Sequence, residues 1–195
     1  MMLGKSTTDY KKAKPLTIDM IPNKSILQDK SLSLFQKILL ATDGTVTDLL
    51  SLYTGEKIKV RKIKHEVTLS DDSEVFLCPR ETPILKRNIL LCSETENYIY
   101  AESIFVFEQL SRSIQYKLLE TNQPIGLIWK EEKVEMYRKI IDYKIEPCDS
   151  LSLYFNIQPQ ILMLSRTYLI YHKQNIVGLI TEKFPINLFK RESTA

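Results

Sequence analysis

The chain has 195 residues, of which 44% are hydrophobic and 26% are charged, a composition that excludes a mostly disordered, collagen-like or coiled-coil protein. This length predicts one domain whose core needs no metal or disulfide to be stable. The net charge of +3 is too small to indicate a nucleic acid or a membrane surface as a partner, so we expect neither.

The cysteines and histidines show no spacing typical of metal ligands. The three cysteines are odd in number and the two histidines are far apart: Cys78, Cys92, Cys148, His65 and His172. We therefore expect no metal site, and we interpret the cysteines as free thiols of a reducing compartment. The apolar stretches are too short to span a membrane, and the N-terminus lacks the apolar region of a secretory signal.

Hydrophobic spacing divides the chain into an N-terminal arm and one domain. Residues 1–29 are polar and Lys-rich, and residues 30–190 carry the periodic segments. Helices are predicted over 31–41 with Asp29 or Ser31 as N-cap, over 45–53, over 108–120, and from Pro124 onward. Strands are predicted over 56–69 with a bulge near Arg61, and over 83–92, 98–107, 133–145, 151–157, 161–172 and 176–184. Helical pairs that interrupt a run of hairpins predict an α+β fold with a mostly antiparallel sheet.

An arginine lies in the middle of an apolar strand face. Because side chains alternate across a strand, Arg87 shares its face with Leu85, Ile89 and Leu91. An arginine on a core face must pair with an anion or line a cavity. The alternatives are an ion pair with a neighbouring carboxylate, or a register that turns the side chain outward.

The last strand shows the same pattern with the opposite charge. Glu182 shares a face with Ile176, Ile180 and Phe184. Burial would raise the pKa of such a carboxyl group unless a cation is near, and a general acid or base is tuned in this way. The alternatives are a glutamate turned to solvent, or an Arg–Glu ion pair with no further role.

A second arginine occurs in the strand before it. Arg166 alternates with Leu164, Tyr168 and Ile170, and a second inward guanidinium would suit a dianionic ligand. The opposite face of this strand is equally apolar, so the pattern leaves the direction of Arg166 open.

Five stretches occur in a defined order between residues 41 and 185: ATDGTVTDLLSLYTGEKIKVRKI (41–63), LKRNILLC (85–92), YIYAES (98–103), QPIG (123–126) and LITEKFP (179–185). Their order resembles the chorismate lyase family, in particular its branch in cyanobacteria, archaea and some plastid genomes. The chain is rich in Ile and Lys and poor in Ala and Gly, which is typical of an AT-rich genome and fits the plastid branch.

The resemblance implies a fold and an activity. The fold is a mostly antiparallel sheet with helical segments that cover an internal ligand cavity. The activity is that of a carbon–oxygen lyase, which converts chorismate to 4-hydroxybenzoate and pyruvate at the entry to quinone biosynthesis without a metal, flavin or nucleotide cofactor. We expect a monomer in the plastid stroma, or in the cytoplasm of a prokaryote.

The resemblance also assigns roles to single residues. Arg87 would hold a carboxylate of the substrate, and Glu182 would lie at the hydroxyl end of the ring as the candidate for the proton transfer. The backbone amide of Ile125 would contact the ligand, and Val46 would form the opposite wall. Arg166 falls on a basic stretch of the penultimate strand and is predicted to bind substrate.

Two departures and two alternatives accompany this interpretation. Asn88 stands where bacterial enzymes of the family often have Glu, and Gln123 replaces Thr in the turn. The same fold serves ligand-sensing domains of transcription regulators, so a non-catalytic domain that binds a small aromatic or cyclic carboxylate is an alternative. A further alternative is a structural or interaction protein in which Arg87 and Glu182 only pair with each other.

Overall fold

The computed structural model describes residues 22–74 and 76–190, and these residues form one six-stranded antiparallel sheet with five α-helices. The predicted α+β class is confirmed. The strands are β1 (Lys59–Leu69), β2 (Pro83–Cys92), β3 (Asn97–Val106), β4 (Tyr137–Pro147), β5 (Leu162–His172) and β6 (Asn175–Pro185). Their order across the sheet is β1-β2-β3-β6-β5-β4, so β6 lies at the centre between β3 and β5.

The helices lie before β1, between β3 and β4, and between β4 and β5. They are α1 (Leu34–Ala41), α2 (Val46–Thr54), α3 (Arg112–Glu120), α4 (Ile125–Glu131) and α5 (Ser152–Phe155). Four short 3₁₀ helices accompany them at Lys24–Gln28, Asp72–Glu74, Phe107–Gln109 and Asp149–Leu151. None of the helices in the described ranges is long and apolar enough to cross a bilayer.

Helix α1 begins at a different residue from the predicted one. Ser33, rather than Asp29 or Ser31, is the N-cap, because its hydroxyl accepts from the Gln36 amide while the Gln36 side chain accepts from the Ser33 amide. The buried Gln36 amide group also donates to the carbonyls of Ile186 and Leu188 at 2.8 and 2.7 Å. Helix α1 is therefore fixed to the segment that follows β6.

The predicted strand over 151–157 is wrong. That segment forms the 3₁₀ turn Asp149–Leu151 and then α5, which ends at Asn156 in the left-handed region at φ 52°. A short apolar run cannot be distinguished as strand or helix from its spacing alone, and no neighbouring strand in the described sheet pairs with this segment. The prediction of strand over 133–145 corresponds to β4, and that over 161–172 to β5.

Two strands contain the irregularities that interrupt their alternation. The register of β1 against β2 shifts between Lys62 and Lys64, close to the predicted bulge. The register of β4 against β5 shifts between Ile140 and Asp142. Each bulge changes which side chains face the helices, so the pattern beyond it cannot be read from simple alternation.

The predicted arm, residues 1–29, is described only from residue 22 onward, and residues 1–21 lie outside the described part. In the described part, Ile26 and Leu27 pack against the core beneath the helices. That core occupies the helix-facing side of the sheet and includes the fully buried Phe105 and the buried Trp129. A cavity also lies on the helix-facing side of the central strands.

Candidate functional site

A cavity lies between the helix-facing side of the sheet and two loops. Strands β2, β3, β6 and β5 form its floor, and the loop before α2 and the turn before α4 form its roof. Its walls are mostly apolar, with a few charged and hydroxyl-bearing side chains. Mostly apolar walls with a few convergent polar groups are typical of a small-molecule site.

Arg87 lies at one end of the cavity, as the alternation of β2 predicts. The side chain is only 2% exposed, yet its Nε atom has no hydrogen-bond partner, and no carboxylate of the described residues pairs with it. Burial lowers the pKa of Arg87 to about 10, so the guanidinium remains charged at neutral pH. A buried cation without a counter-ion is arranged to receive an anion from outside the protein.

The surroundings of Arg87 add positive charge. His65 lies directly opposite Arg87 on β1, and the nearby Lys62 ammonium donates to the Leu119 carbonyl at 2.7 Å. Burial, then the charges of Arg87 and Lys62, lowers the pKa of His65 to about 4, so this histidine is neutral at pH 7. Asn88 lies on the other face of β2 and donates to the Tyr100 hydroxyl at 2.8 Å. The asparagine that replaces the Glu of many bacterial enzymes therefore lies away from the cavity.

Glu182 lies on the central strand β6, in the middle of the cavity floor, and is 7% exposed. Its two carboxylate oxygens have different partners. Oε2 accepts from Arg166 Nε at 2.7 Å, and Oε1 accepts from the Tyr168 hydroxyl at 3.0 Å. The carboxylate is thus held in one orientation beside the cavity, and the partner in its ion pair is Arg166 and not Arg87.

Arg166 faces the helices but does not line the cavity. Its guanidinium lies behind Glu182, where Nη1 donates to the carbonyls of Thr42 at 2.6 Å and Leu40 at 3.4 Å. Burial acts to lower the pKa of Arg166, but the charge and hydrogen bond of Glu182, together with Tyr168 and Tyr143, outweigh it and raise the pKa above its ordinary value. The structure therefore places Arg166 as a positioning residue for Glu182, and a direct contact with substrate remains a prediction.

Tyr168 is a site residue that the sequence reasoning did not single out. It lines the cavity, and its ring lies 5.1 Å from the guanidinium carbon of Arg166. Burial and the neighbouring Glu182 charge raise the pKa of Tyr168 far above its usual value, so the hydroxyl stays protonated and donates to Glu182. The available signal was its position two residues after Arg166, on the same strand face.

Val46 and Ile125 both line the roof of the cavity, at the first residue of α2 and of α4 respectively. The Ile125 amide is among the first N–H groups of its helix, which have no acceptor within the helix. Pro124 is the N-cap of α4 rather than its first residue. The two roof elements meet at Gly126, where an added Cβ would lie 2.8 Å from Thr45 Cγ2, so a larger residue would force the Thr45 side chain to shift.

The cavity combines an unpaired cation, an oriented carboxylate with a tyrosine hydroxyl, and apolar walls. Such a site can hold a small cyclic carboxylate and transfer one proton. Within residues 22–74 and 76–190, no group of three or more His, Cys, Asp or Glu side chains could hold a metal ion. The three cysteines are free thiols and are all buried.

Solved structures share this fold. The effector domain of PhnF from Mycobacterium smegmatis superposes with a TM-score of 0.59 at 10% identity, and covers 74% of this chain and 90% of that domain. The possible transcriptional regulator YydK from Bacillus subtilis gives a TM-score of 0.56 at 10% identity, over 80% of this chain and 64% of that one. At this identity the comparison establishes the fold alone.

Sequence comparison identifies relatives that are enzymes by name. The chain is 30% identical to the chorismate pyruvate-lyase of Mycobacterium leprae over 106 residues, which is 53% of this chain and 50% of that protein. It thus spans about half the length of that relative. It is 29% identical to the protein named "Putative lyase MJ0807" of Methanocaldococcus jannaschii, over 77% of this chain and 78% of that one. The model of the Rv2949c-like chorismate pyruvate-lyases matches residues 40–191. The chain therefore belongs to the Rv2949c-like chorismate pyruvate-lyase family.

Proposed function

We propose that the protein is a chorismate lyase, which releases pyruvate from chorismate and leaves 4-hydroxybenzoate. One observation carries the proposal: a buried, unpaired Arg87 and an oriented Glu182 share one largely apolar cavity. Family membership supports the same reaction class.

The proposed reaction needs one bond cleavage and one proton transfer. The ether bond between the ring carbon and the enolpyruvyl oxygen breaks, and the ring loses a proton from the neighbouring carbon that bears the hydroxyl group. The electrons of that C–H bond complete the aromatic ring, and the departing enolpyruvate takes up one proton to become pyruvate. Because aromatisation drives the reaction, the protein needs mainly to orient the ether bond and to handle that proton.

The site residues divide these tasks. Arg87 binds the ring carboxylate through its planar fork, which suits a carboxylate better than an ammonium group does. Glu182 transfers the proton, since it is the carboxylate that lines the cavity. Val46 and the amide of Ile125 hold the ring from the roof, and Arg166 supports this work by fixing Glu182 from behind.

Incubation of the pure protein with chorismate tests the proposal directly. We expect pyruvate, detected with lactate dehydrogenase, and 4-hydroxybenzoate in equal amounts, at a rate above that of chorismate alone. Folded protein that produces no pyruvate above the uncatalysed rate would exclude the enzyme.

A second candidate function is a non-catalytic domain that binds a small aromatic or cyclic carboxylate. Its support is the fold shared with regulator effector domains. Such a domain would be stabilised thermally by 4-hydroxybenzoate, because a ligand that binds only the folded state raises stability, but it would not form pyruvate from chorismate. Both measurements on one preparation separate the two functions.

We also propose a setting for the enzyme. The AT-rich composition and the order of the sequence motifs support the plastid branch of the family, with the product passing to quinone biosynthesis in the stroma. We propose that the protein acts there as a monomer without a cofactor, and that neither a nucleic acid nor a membrane is a partner. Size-exclusion chromatography with light scattering tests the oligomeric state.

A further inference from the structure

A third arginine, Arg138, lines the cavity at the edge opposite Arg87. It lies on the outer strand β4, whereas Arg87 lies on β2, and strands β3, β6 and β5 separate them. Four strand spacings correspond to about 19 Å between the two backbones. The two long side chains therefore approach one cavity from opposite sides of its floor.

The contacts of Arg138 leave its positive charge uncompensated. Nη1 donates to the backbone carbonyl of Asp43 at 2.5 Å, and the guanidinium carbon lies 5.3 Å from the centre of the Trp129 ring. A backbone carbonyl and an aromatic face orient a guanidinium without neutralising it. In the described part of the chain, no carboxylate forms an ion pair with Arg138.

Arg166, in contrast to Arg87 and Arg138, has a counter-ion within the protein. Arg166 pairs with Glu182 and does not reach the cavity, so these two charges compensate each other. The cavity thus has an unpaired guanidinium at each of two ends, with apolar side chains such as Ile180 and Ala101 on the floor between them. A ligand that complements this pattern is a ring with a carboxylate at each end.

We propose that Arg138 binds the second carboxylate of a dicarboxylate ligand and selects such ligands over monocarboxylates. Under the proposed function, on which this assignment of the ligand rests, that group is the carboxylate of the enolpyruvyl side chain, while Arg87 holds the ring carboxylate. Arg87 is fully buried and Arg138 is half-buried, so the enolpyruvyl group points toward the more open end. Cleavage then leaves pyruvate at Arg138, nearer to solvent, and 4-hydroxybenzoate at Arg87.

Two unreactive ligands test this assignment. 4-(Carboxymethoxy)benzoate carries a ring carboxylate and an ether-linked carboxylate, whereas 4-methoxybenzoate lacks the second one. We expect Arg138→Gln to weaken binding of the dicarboxylate about 10- to 100-fold in calorimetry, as for loss of a charge-assisted contact, and to change binding of the monocarboxylate less than about threefold. Arg112→Gln, a change of the same type at the exposed start of α3, is the control and should affect neither ligand.

The outcomes separate this inference from the enzymatic function. If Arg138→Gln weakens both ligands equally, or neither, the second-carboxylate site is refuted, even if the wild-type protein makes pyruvate. If the wild-type protein makes no pyruvate but binds the dicarboxylate in an Arg138-dependent way, the lyase fails and the site stands. A thermal melt of the variant confirms that any loss of binding occurs in folded protein.

Discussion

Two buried arginines on neighbouring parts of one sheet have opposite surroundings. Arg166 on β5 is 1% exposed and pairs with Glu182, whereas Arg87 on β2 is 2% exposed and has no counter-ion in the described chain. The two side chains are therefore equally buried, but only the charge of Arg166 is compensated by a carboxylate. A buried charge therefore indicates a ligand only when the protein itself leaves that charge unpaired.

The contrast predicts a structural role for Arg166 and a ligand-binding role for Arg87, and five experiments test these two roles. The largest effect is expected at the carboxylate that Arg166 holds. Glu182→Gln keeps the shape of the side chain but removes the proton acceptor, so kcat should fall roughly 10²–10⁴-fold while the affinity for 4-hydroxybenzoate changes little. Pyruvate release measures kcat. Glu102→Gln, on the other face of the sheet, is the control. Unchanged turnover in Glu182→Gln would remove Glu182 from the catalytic residues.

The next effect concerns stability. Arg166→Met leaves the Glu182 carboxylate buried without its cation, so the free energy of unfolding should fall by about 3–5 kcal/mol. Urea unfolding followed by circular dichroism measures it. The double variant Arg166→Met/Glu182→Leu, which replaces the whole pair with apolar groups, should regain much of the loss. A double variant no more stable than Arg166→Met would contradict the ion pair.

Arg87→Met should behave in the opposite way. Removal of a buried unpaired charge should leave the free energy of unfolding unchanged or raise it, because no internal partner is lost. The loss of a charge-assisted contact to substrate should lower kcat/KM about 10- to 150-fold. Arg87→Lys should restore little, since an ammonium group lacks the planar fork. Full activity in Arg87→Lys, or a large loss of stability in Arg87→Met, would reverse the roles of the two arginines.

A smaller effect is expected at the tyrosine that shares Glu182 with Arg166. Tyr168→Phe deletes the hydroxyl that donates to Glu182 Oε1 and leaves the ring in place. The carboxylate would keep its ion pair but lose one of its two fixed contacts, so kcat should fall about tenfold with little change in KM. Steady-state kinetics with chorismate measures both constants. An unchanged kcat would show that Arg166 alone orients the carboxylate.

The smallest effect is a pH dependence at the Arg87 end. The pKa of His65 is about 4 in the folded protein and near 6.5 when unfolded, so between these values the unfolded chain binds more protons. Stability contributed by neutral His65 is therefore present above pH 6.5 and is lost as the pH falls toward 4. Partial exposure limits the loss to about 1 kcal/mol. Urea unfolding at pH 7 and pH 5 should show a smaller difference in His65→Gln than in wild type. An equal difference in both proteins would exclude His65 as its source.

The positions of Arg87 and Glu182 could be predicted from alternation in single strands. Arg87 and Glu182 each interrupt an otherwise apolar face, and both face the helices as that pattern predicts. The partner of Glu182 could not be predicted, because both faces of β5 are apolar and its register against β6 determines the pairing. That register places Arg166 directly opposite Glu182.

The position of Arg138 was harder to predict because its strand, β4, is irregular. The bulge between Ile140 and Asp142 disrupts the alternation of β4, so nothing in the sequence marks Arg138 as facing a cavity. Its role depends on Trp129 and Asp43, which belong to two other elements. The wrong strand over 151–157 has a related cause, since tertiary pairing and not local spacing decides whether a short apolar run becomes a strand.

The hairpin of β5 and β6 has a consequence for the order in which the protein folds. Its tight turn at Lys173 and Gln174 brings Arg166, Tyr168 and Glu182 together across 14 to 16 residues of chain. Closing so short a loop costs little entropy, whereas joining Glu182 to Arg87 requires most of the chain to be in place. We therefore expect the proton-transfer group to assemble in an early local unit of the folding chain, and the anion-binding end to be completed only when the whole sheet has formed.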